Sequence, residues 1–271
     1  MTPPFLYGTA WKEEETERLT RLAIDAGFRG IDTANQRKHY FEAGVGAAVA
    51  SAIADGLVTR EELFLQTKFT YLGGQDHRLP YDPDAPPAEQ VRQSFASSLE
   101  HLGIATLDSY VLHGPSRRRG LADVDREVWR AMEELHAAGK TAHLGISNVA
   151  LDQLEELLAF ASVRPSFVQN RCFARTRWDA DVRALCRANG IVYQGFSLLT
   201  ANVAELRSAP FRELVARVRR TPAQLVFRFA RQVGMLPLTG TTDRAHMSED
   251  LAIDDFALSA EEVATIERLA G

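Results

Sequence analysis

The sequence predicts a single-domain α/β fold, a (β/α)8 TIM barrel over residues 1–271. Short apolar runs alternate with amphipathic helical segments along the whole chain, and eight such pairs can be counted. The runs are apolar at nearly every position, which is typical of parallel strands that are buried on both faces. The length of 271 residues also matches a barrel of this kind.

The strands are predicted from the apolar runs. A doubly wound sheet would show the same alternation, but its glycine-rich turn after the first strand is missing, because Gly8-Thr9-Ala10-Trp11-Lys12 holds one glycine. The barrel is therefore favoured. The predicted strands cover residues 5–8, 30–32, 63–67, 107–112, 143–146, 167–169, 191–195 and 235–238.

The helices are predicted from apolar positions three and four residues apart, together with start and stop signals. Thr221 before Pro222 marks a helix start, and Ser259 with Glu262 indicates a capping box. Gly27, like three later glycines, lies where a left-handed residue ends a helix. The predicted helices cover residues 15–26, 42–54, 88–101, 125–138, 151–160, 178–188, 222–232 and 259–269.

Composition and charge argue against several classes of protein. The formal net charge of −5 disfavours a nucleic-acid binder, and no run approaches the ~18 apolar residues of a membrane span. The N-terminus lacks the basic flank and apolar core of a signal peptide. Cys172 and Cys186 are too few for a disulfide framework and have no metal-ligand spacing. We expect reduced thiols, no metal, and a monomeric cytoplasmic protein.

Four polar residues lie at or just after the ends of three neighbouring predicted strands. Asp32 ends the second strand, Tyr40 lies in the turn that follows, Lys68 follows the third strand and His113 follows the fourth. Each residue alone is commonly a cap, a packing residue or a solvated side chain. Because a barrel gathers the carboxyl ends of its strands at one rim, where active sites are built, the four together predict an acid–base site.

This set of residues suits the reduction of a carbonyl group. Hydride attack leaves an alkoxide that needs a proton, and the Tyr40 phenol holds one at neutral pH. A nearby Lys68 ammonium is expected to lower the pKa of that phenol, while Asp32 keeps Lys68 charged and oriented. His113 could donate a hydrogen bond to the carbonyl oxygen.

These residues belong to motifs that resemble those of the aldo-keto reductases, in the order of that family and over almost the whole chain. The resemblance implies a barrel with the tetrad Asp32, Tyr40, Lys68 and His113, and NAD(P)H-dependent reduction of an aldehyde or ketone. The matching stretches are Gly8-Thr9, Gly27-Phe28-Arg29-Gly30-Ile31-Asp32-Thr33-Ala34, Tyr40 to Gly46, Thr67-Lys68, Leu112-His113, Gly145-Ile146-Ser147-Asn148, Val168-Gln169-Asn170, Phe196-Ser197-Leu198, Gly240-Thr241-Thr242 and Glu249-Asp250.

The same resemblance implies a set of cofactor-binding residues. Ser147, Asn148 and Gln169 would hydrogen-bond the nicotinamide carboxamide, and Phe196 would stack on the nicotinamide ring. Ser197, Leu198 and Thr200 would lie near the pyrophosphate, while Gly240, Thr241 and Thr242 open a short helix whose N–H groups could meet a phosphate. The other expected cofactor residues are Gly8, Thr9, Ala10, Asp32, Arg244, His246, Glu249 and Asp250.

The cofactor preference depends on two departures from the family pattern. Many members that prefer the phosphorylated cofactor have a lysine where Gly240 stands and an arginine where His246 stands. Only Arg244 is kept nearby. Related barrels with a glycine at that position do use the phosphorylated form, so NADP(H) is favoured and NAD(H) stays an alternative.

Further departures concern the substrate pocket. The N-terminal hairpin and the C-terminal tail that are common in the family are both expected to be missing. The long stretch 69–87, with Tyr71, His77 and Tyr81, could replace the missing wall or form a surface loop. Several arginines could make the rim electropositive, which would favour an anionic substrate or help to bind the cofactor phosphates. Alternatively, they form a solvated charge cluster. These residues are Arg117, Arg118, Arg119, Arg171, Arg175 and Arg177.

Two rival functions stay open at this point. Lys68 could form a Schiff base, as in a lyase, although Asp32 would keep it protonated and Tyr40 would be unexplained. A barrel that binds nucleotide and regulates a partner without physiological turnover is the second rival. The residue types of the tetrad do not separate that barrel from an enzyme.

Overall fold

The computed structural model describes residues 2–270, and its eight parallel strands form a closed barrel. Each strand pairs with the next one along the chain, and the eighth pairs with the first. The predicted fold class is therefore confirmed. The strands are β1 Leu6–Gly8, β2 Gly30–Asp32, β3 Phe64–Phe69, β4 Leu107–Leu112, β5 Thr141–Ser147, β6 Phe167–Arg171, β7 Val192–Phe196 and β8 Met235–Thr239.

Helices pack against the outer face of the strands, and the main apolar core lies between the two layers. Among the described residues, no helix combines the length and the apolar character that crossing a bilayer requires. The helices are α1 Thr16–Ala26, α2 Glu42–Ala54, α3 Pro87–Leu102, α4 Asp123–Ala137, α5 Leu151–Phe160, α6 Ala180–Ala188, α7 Ala209–Val218, α8 Pro222–Gln232, α9 Arg244–Leu251 and α10 Ala260–Glu267.

The predicted caps are found where the sequence places them. The Thr221 side chain accepts a hydrogen bond from the Gln224 N–H at 3.2 Å, and Pro222 opens α8. Ser259 and Glu262 form the reciprocal capping box at the start of α10. Gly27 ends α1 with φ of +113°, a left-handed conformation that costs a residue without a Cβ little.

Two helix predictions need correction. The predicted helix 178–188 begins at Ala180, because Arg177, Trp178 and Asp179 all have positive φ and interrupt the helical path. Trp178 is nevertheless buried, and its indole N–H donates to the Ile266 carbonyl at 2.9 Å. Helix α7, Ala209–Val218, was not predicted at all.

Several strands are longer than predicted at their carboxyl ends, and this matters for the site. Strand β3 continues to Phe69, so Lys68 lies within the strand rather than after it. The hydrogen bonding continues one residue beyond β4, because the His113 N–H donates to the Phe69 carbonyl at 2.9 Å. Backbone pairing does not depend on the side chain, so a polar residue that ends an apolar run need not end the strand.

The long stretch 69–87 folds back on the barrel and does not line the cleft described below. The Tyr81 hydroxyl donates to the Thr70 carbonyl at 2.8 Å, and the Tyr71 hydroxyl donates to Asp125 at 2.8 Å. His77 is exposed. The sequence left two alternatives open, and none of the three side chains forms a wall of this cleft.

Candidate active site

Side chains fill the barrel interior in layers, because every second residue of a strand faces the barrel axis. On β3, Phe64 lies at the floor, Gln66 lies in the middle and Lys68 lies near the open end. The floor is apolar, and the Phe64 and Phe167 rings meet there at 5.5 Å between centroids. Polar side chains therefore face inward only above this floor.

The middle layer joins four side chains from four strands. The side-chain amides of Gln66 and Gln169 donate to the Asp32 carboxylate at 2.7 and 2.9 Å, and both also donate to Gln194. The register explains this contact, since Gln66 pairs with Asp32 across β2 and β3, and Gln169 pairs with Gln194 across β6 and β7. Gln66 and Gln194 were not predicted as site residues. The signal available in the sequence was a single glutamine within an otherwise apolar predicted strand.

Asp32 and Lys68 form a buried ion pair on top of this layer. The Lys68 ammonium donates three hydrogen bonds, to both carboxylate oxygens of Asp32 and to the Thr33 carbonyl, each at 2.7 Å. These three bonds use every proton that the ammonium can donate. Burial lowers the pKa of Lys68, and the Asp32 charge opposes that shift.

Tyr40 and His113 lie beside this pair and face each other. The Lys68 nitrogen is 5.3 Å from the centre of the Tyr40 ring, and the Tyr40 and His113 ring centres are 5.9 Å apart in an edge-to-face arrangement. His113 Nδ1 lies 2.6 Å from the Thr70 hydroxyl. All four residues predicted from the sequence are therefore brought together.

The titration behaviour of the two rings differs from the sequence-based expectation. The pKa of Tyr40 is raised rather than lowered, because burial opposes the phenolate and the Asp32 carboxylate repels it. The lowering that we expected from Lys68 is absent, since that ammonium is already paired with Asp32. Burial and the nearby Lys68 charge lower the pKa of His113 to about 3, so its imidazole is neutral at neutral pH.

A cleft of about 490 Å³ opens above these residues at the carboxyl ends of the strands. Tyr40 and His113 line it, together with eleven of the predicted cofactor residues: Gly8, Ala10, Asp32, Ser147, Gln169, Phe196, Ser197, Leu198, Thr200, Gly240 and Thr241. Arg171 is the one member of the predicted arginine group in this lining, and the residues that the sequence did not predict include Trp11 and Leu199. Among residues 2–270, no group of three His, Cys, Asp or Glu side chains could hold a metal ion.

The three residues predicted to meet the carboxamide already share hydrogen bonds. The Ser147 hydroxyl donates to the Gln169 carbonyl at 2.7 Å, and the Asn148 amide donates to the His113 carbonyl at 2.7 Å. The Gln169 amide nitrogen is taken by Asp32 and Gln194. The side-chain oxygens of Asn148 and Gln169 accept no hydrogen bond from another described residue, so each offers an acceptor for a ligand.

The backbone is strained at three positions of this rim. Trp11, Asn148 and Ser197 have φ of +62°, +51° and +55°, a region that residues with a Cβ seldom occupy. Each lies just beyond the carboxyl end of a strand. Such strain is typical of sites where the backbone is held in place for a ligand.

Lys12 lies directly behind the cleft lining, against Gly240, and was not predicted from the sequence. It is buried, its ammonium donates to the Gly240 carbonyl at 2.8 Å, and it lies 5.1 Å from the centre of the Tyr7 ring. No carboxylate of residues 2–270 pairs with it, and burial lowers its pKa to about 8. Lys12 lies three residues after Thr9, and nothing in the local sequence marks its side chain as buried.

The remaining predicted cofactor residues do not line the cleft. The Thr9 hydroxyl and N–H both donate to the Asp32 carbonyl at 3.0 Å, so Thr9 helps to fix the backbone of Asp32. Asp250 is buried in α9, which raises its pKa to about 7. Asn148, which follows β5, is exposed and also lies outside the lining. The others, on or near α9, are Thr242, Arg244, His246 and Glu249.

Comparison with known proteins places this site in a family. Residues 6–270 match the model of the Aldo/keto reductase family. Glyoxal reductase of Bacillus subtilis is 30% identical over 256 residues, which cover 94% of this chain and 83% of that protein. Aldo-keto reductase AKR2E4 of Bombyx mori is 29% identical over 268 residues, covering 94% and 82% of the two chains.

Solved structures agree with this match. The crystal structure of Bombyx mori AKR2E4 in complex with NADP superposes with a TM-score of 0.83 at 26% identity, covering 99% of this chain and 89% of that one. The structure of AKR2E5, also from Bombyx mori, complexed with NADPH gives a TM-score of 0.83 at 26% identity and covers 99% and 84%.

Proposed function

The chain belongs to the aldo/keto reductase family, and from this premise we propose that it reduces an aldehyde or ketone to the alcohol, with NADPH as hydride donor and Tyr40 as proton donor. The observation that carries the proposal is the buried Lys68–Asp32 pair beside Tyr40 and His113 at the floor of an open cleft. We propose that residues 1–271 act as one catalytic domain. A monomeric enzyme of the cytoplasm stays a prediction from the sequence.

Tyr40 acts as the acid in this proposal even though its pKa is raised. The raised pKa keeps the phenol protonated over the whole neutral range, and an alkoxide is a much stronger base than a phenolate. The Lys68 ammonium, fixed by Asp32, lies 5.3 Å from the centre of the Tyr40 ring and holds that ring beside His113. Asp32 thus acts through Lys68 as a positioning residue.

His113 orients the carbonyl oxygen. Its imidazole is neutral, so it carries one N–H, and the hydrogen bond at Nδ1 decides which nitrogen has it. If the Thr70 hydroxyl donates to Nδ1 across the 2.6 Å contact, Nε2 keeps the proton and can donate to the substrate. Thr70 is then the residue that selects the useful tautomer.

The residues that line the cleft at the ends of β6 and β7 fit a nicotinamide nucleotide. When bound, NADPH supplies the hydride. Phe196 and Gln169 line the cleft, so the Phe196 ring offers a face to the nicotinamide and the Gln169 side-chain oxygen is an acceptor for a carboxamide proton. Two structural relatives hold NADP or NADPH in their crystals, which supports the same cofactor here.

Lys12 is proposed to bind a cofactor phosphate. A buried ammonium without a carboxylate partner is unfavourable unless an anion approaches it. It lies against Gly240, in the segment that we expect to meet a phosphate, and so could compensate for the absence of a lysine at position 240 itself. This compensation supports NADP(H) over NAD(H), and equal or better kcat/KM with NADH would contradict that preference.

The geometry does not support a Schiff base on Lys68. A Schiff base needs a free amine that faces the substrate, whereas the three Lys68 protons are all engaged with Asp32 and Thr33. Lys68 is fully buried and does not line the cleft. Borohydride trapping of a carbonyl compound on Lys68 would restore the lyase function.

Replacement of Tyr40 by Phe tests the proposed acid. The hydroxyl makes no hydrogen bond to another residue of 2–270, so its removal leaves the described contacts of the site unchanged. We expect kcat to fall by about 10² to 10⁴-fold, the usual contribution of a positioned acid, while the Kd for NADPH stays within about twofold. Turnover is followed at the nicotinamide absorbance with a panel of aldehydes and ketones, and Kd by fluorescence titration.

Tyr71→Phe is the matched control, because it removes a tyrosine hydroxyl that bonds Asp125 away from the cleft. We expect its kcat to equal that of the wild type. Near-normal turnover by Tyr40→Phe would refute the assignment. NADPH binding without turnover of any carbonyl compound by the wild type would instead favour the regulatory barrel.

A further inference from the structure

Arg171 is the last residue of β6 and lies in the lining of the cleft. It is two residues after Gln169, whose side chain faces the barrel axis, and the alternation of the strand gives both residues the same face. Asn170 between them faces outward, where its amide donates to the Val149 carbonyl and to Asp179. The Arg171 side chain therefore rises over the barrel opening.

The Arg171 guanidinium has no carboxylate partner among residues 2–270. Its carbon lies 5.6 Å from the centre of the Phe173 ring, and the Arg175 carbon lies 4.4 Å from the same ring. Contact with an aromatic ring restrains a guanidinium without neutralising it. Phe173 therefore holds two guanidiniums at the rim, and both keep their donors for a ligand.

The rest of the cleft lining carries no other net charge. Asp32 is neutralised by Lys68, and His113 is neutral because its pKa is lowered to about 3. The other lining side chains are apolar or uncharged, with Trp11, Phe196 and Leu199 among the larger ones. An anion that enters the cleft would thus meet Arg171 and no opposing carboxylate.

We propose that the substrate is a carbonyl compound with a carboxylate at its far end, and that Arg171 binds this carboxylate while Tyr40 and His113 hold the carbonyl oxygen. The proposal rests on the function proposed above. Strand β6 lies opposite β2 in the ring of eight strands, so Arg171 and the segment of Tyr40 are on opposite sides of the opening. An elongated molecule can then reach both, and a guanidinium binds a carboxylate through two parallel hydrogen bonds.

The cofactor phosphates are the other anions that Arg171 could meet. They are expected at the ends of β7 and β8, near Ser197, Thr200 and Gly240, where Lys12 supplies a separate cation. Arg171 instead pairs with Phe196 in the register of β6 and β7, at the position of the nicotinamide ring. Arg171 therefore lies near the nicotinamide end of the cofactor, where the substrate must also bind, and away from the segments that we expect to meet the phosphates.

Matched aldehydes test the charge preference. 4-Carboxybenzaldehyde and 4-formylbenzamide have nearly the same shape, and only the first is an anion. We expect the wild type to have a kcat/KM about tenfold or more higher for the acid, since hydrogen bonds between charged groups are stronger than neutral ones. Salt should reduce this ratio, because the rim is exposed and its field is screened.

Arg171→Gln should lower kcat/KM for the acid by about tenfold or more and change that for the amide by less than twofold. Its Kd for NADPH should be unchanged. Arg164→Gln is the control, because it removes one exposed arginine charge near the other end of the same strand. An Arg171→Gln variant that loses NADPH affinity but keeps the acid preference would assign Arg171 to the cofactor and overturn the proposal.

A binding measurement keeps this result separate from the question of turnover. Isothermal titration of the wild type with benzoate and with benzamide needs no chemistry. Tighter binding of benzoate that Arg171→Gln abolishes would support the carboxylate site even if no aldehyde were reduced. Equal binding of both ligands, together with equal kcat/KM for both aldehydes, would overturn the proposal and leave the reductase function standing.

Discussion

Two parts of the barrel rim each contain a buried lysine, and the two lysines differ in whether a carboxylate neutralises them. In the tetrad part, formed by β2, β3 and β4, the Lys68 ammonium donates to both oxygens of Asp32 and to a carbonyl. In the β8 part, Lys12 donates to the Gly240 carbonyl and has no carboxylate partner among the described residues. Both side chains are buried.

The difference indicates which part of the site needs a ligand to be complete. A buried ion pair with all of its hydrogen bonds made is costly to break but needs nothing further. A buried ammonium that lacks an anion destabilises the fold until an anion binds. The tetrad is therefore organised without a ligand, whereas in our proposal a cofactor phosphate completes the β8 part.

The largest predicted effect tests the tetrad part. Lys68→Met removes one partner of the pair and leaves the Asp32 carboxylate buried with two amide donors from Gln66 and Gln169. We expect the free energy of unfolding to fall by about 3–5 kcal/mol, as for other broken buried ion pairs. Urea denaturation followed by circular dichroism measures this loss.

The double variant Asp32→Asn with Lys68→Met is its control. Removing both charges leaves no isolated buried ion, so the double variant should recover most of the stability that the single variant loses. If the single variant is as stable as the wild type, the Lys68–Asp32 pair does not organise the rim, and the contrast between Lys68 and Lys12 is wrong for Lys68.

Three members of the tetrad could be predicted from the sequence because Asp32, Lys68 and His113 each lie at or directly after the end of an apolar run, and Tyr40 lies in the segment that follows the first of these runs. The β-strand period and the barrel topology then bring Asp32, Lys68 and His113 to one rim without knowledge of any tertiary distance. The resemblance to a known family supplied most of the cofactor residues as well. The confirmed fold class depends on the same regularities.

What could not be predicted depends on contacts between distant segments. Lys12 meets Gly240 across 228 positions of the chain, and its burial has no signature in the local sequence. The raised pKa of Tyr40 depends on burial and on the Asp32 charge together. Nor does the sequence show that Tyr71 and Tyr81 turn away from the cleft, because hydrogen bonds to Asp125 and Thr70 decide it.

The next effect in size is the pH dependence of stability that Lys12 causes. Its pKa is lowered to about 8 in the folded protein and is near 10.4 when unfolded, so between these values the unfolded state binds more protons. Stability attributable to Lys12 therefore rises with pH across this window, by up to about 3 kcal/mol, and is constant below pH 8.

Subtraction of a variant isolates this contribution. Methionine at position 12 has no titrating group. The free energy of unfolding of the wild type should therefore increase relative to that of Lys12→Met as the pH rises from 8 to 10.4. At pH 7 the variant should be at least as stable as the wild type, the opposite of Lys68→Met. If Lys12→Met instead lowered the free energy of unfolding by several kcal/mol at pH 7, the Lys12 ammonium would already be stabilised by the groups around it in the folded protein.

The smallest effect concerns cofactor affinity. Lys12→Met should raise the Kd for NADPH by about 10- to 100-fold, because a hydrogen bond between charged groups contributes about 1.5–3 kcal/mol. Fluorescence titration with NADPH and NADH identifies the phosphate involved. A loss confined to NADPH assigns Lys12 to the 2′-phosphate, and an equal loss for both assigns it to the pyrophosphate.

The pH dependence of that affinity separates charge from shape. A bound phosphate would raise the pKa of Lys12, so binding takes up a proton above pH 8 and wild-type affinity should fall as pH rises. The fall should be absent in Lys12→Met. If the variant binds both nucleotides as tightly as the wild type, the buried ammonium is not a phosphate ligand, and the β8 part of the rim is as complete without the cofactor as the tetrad is.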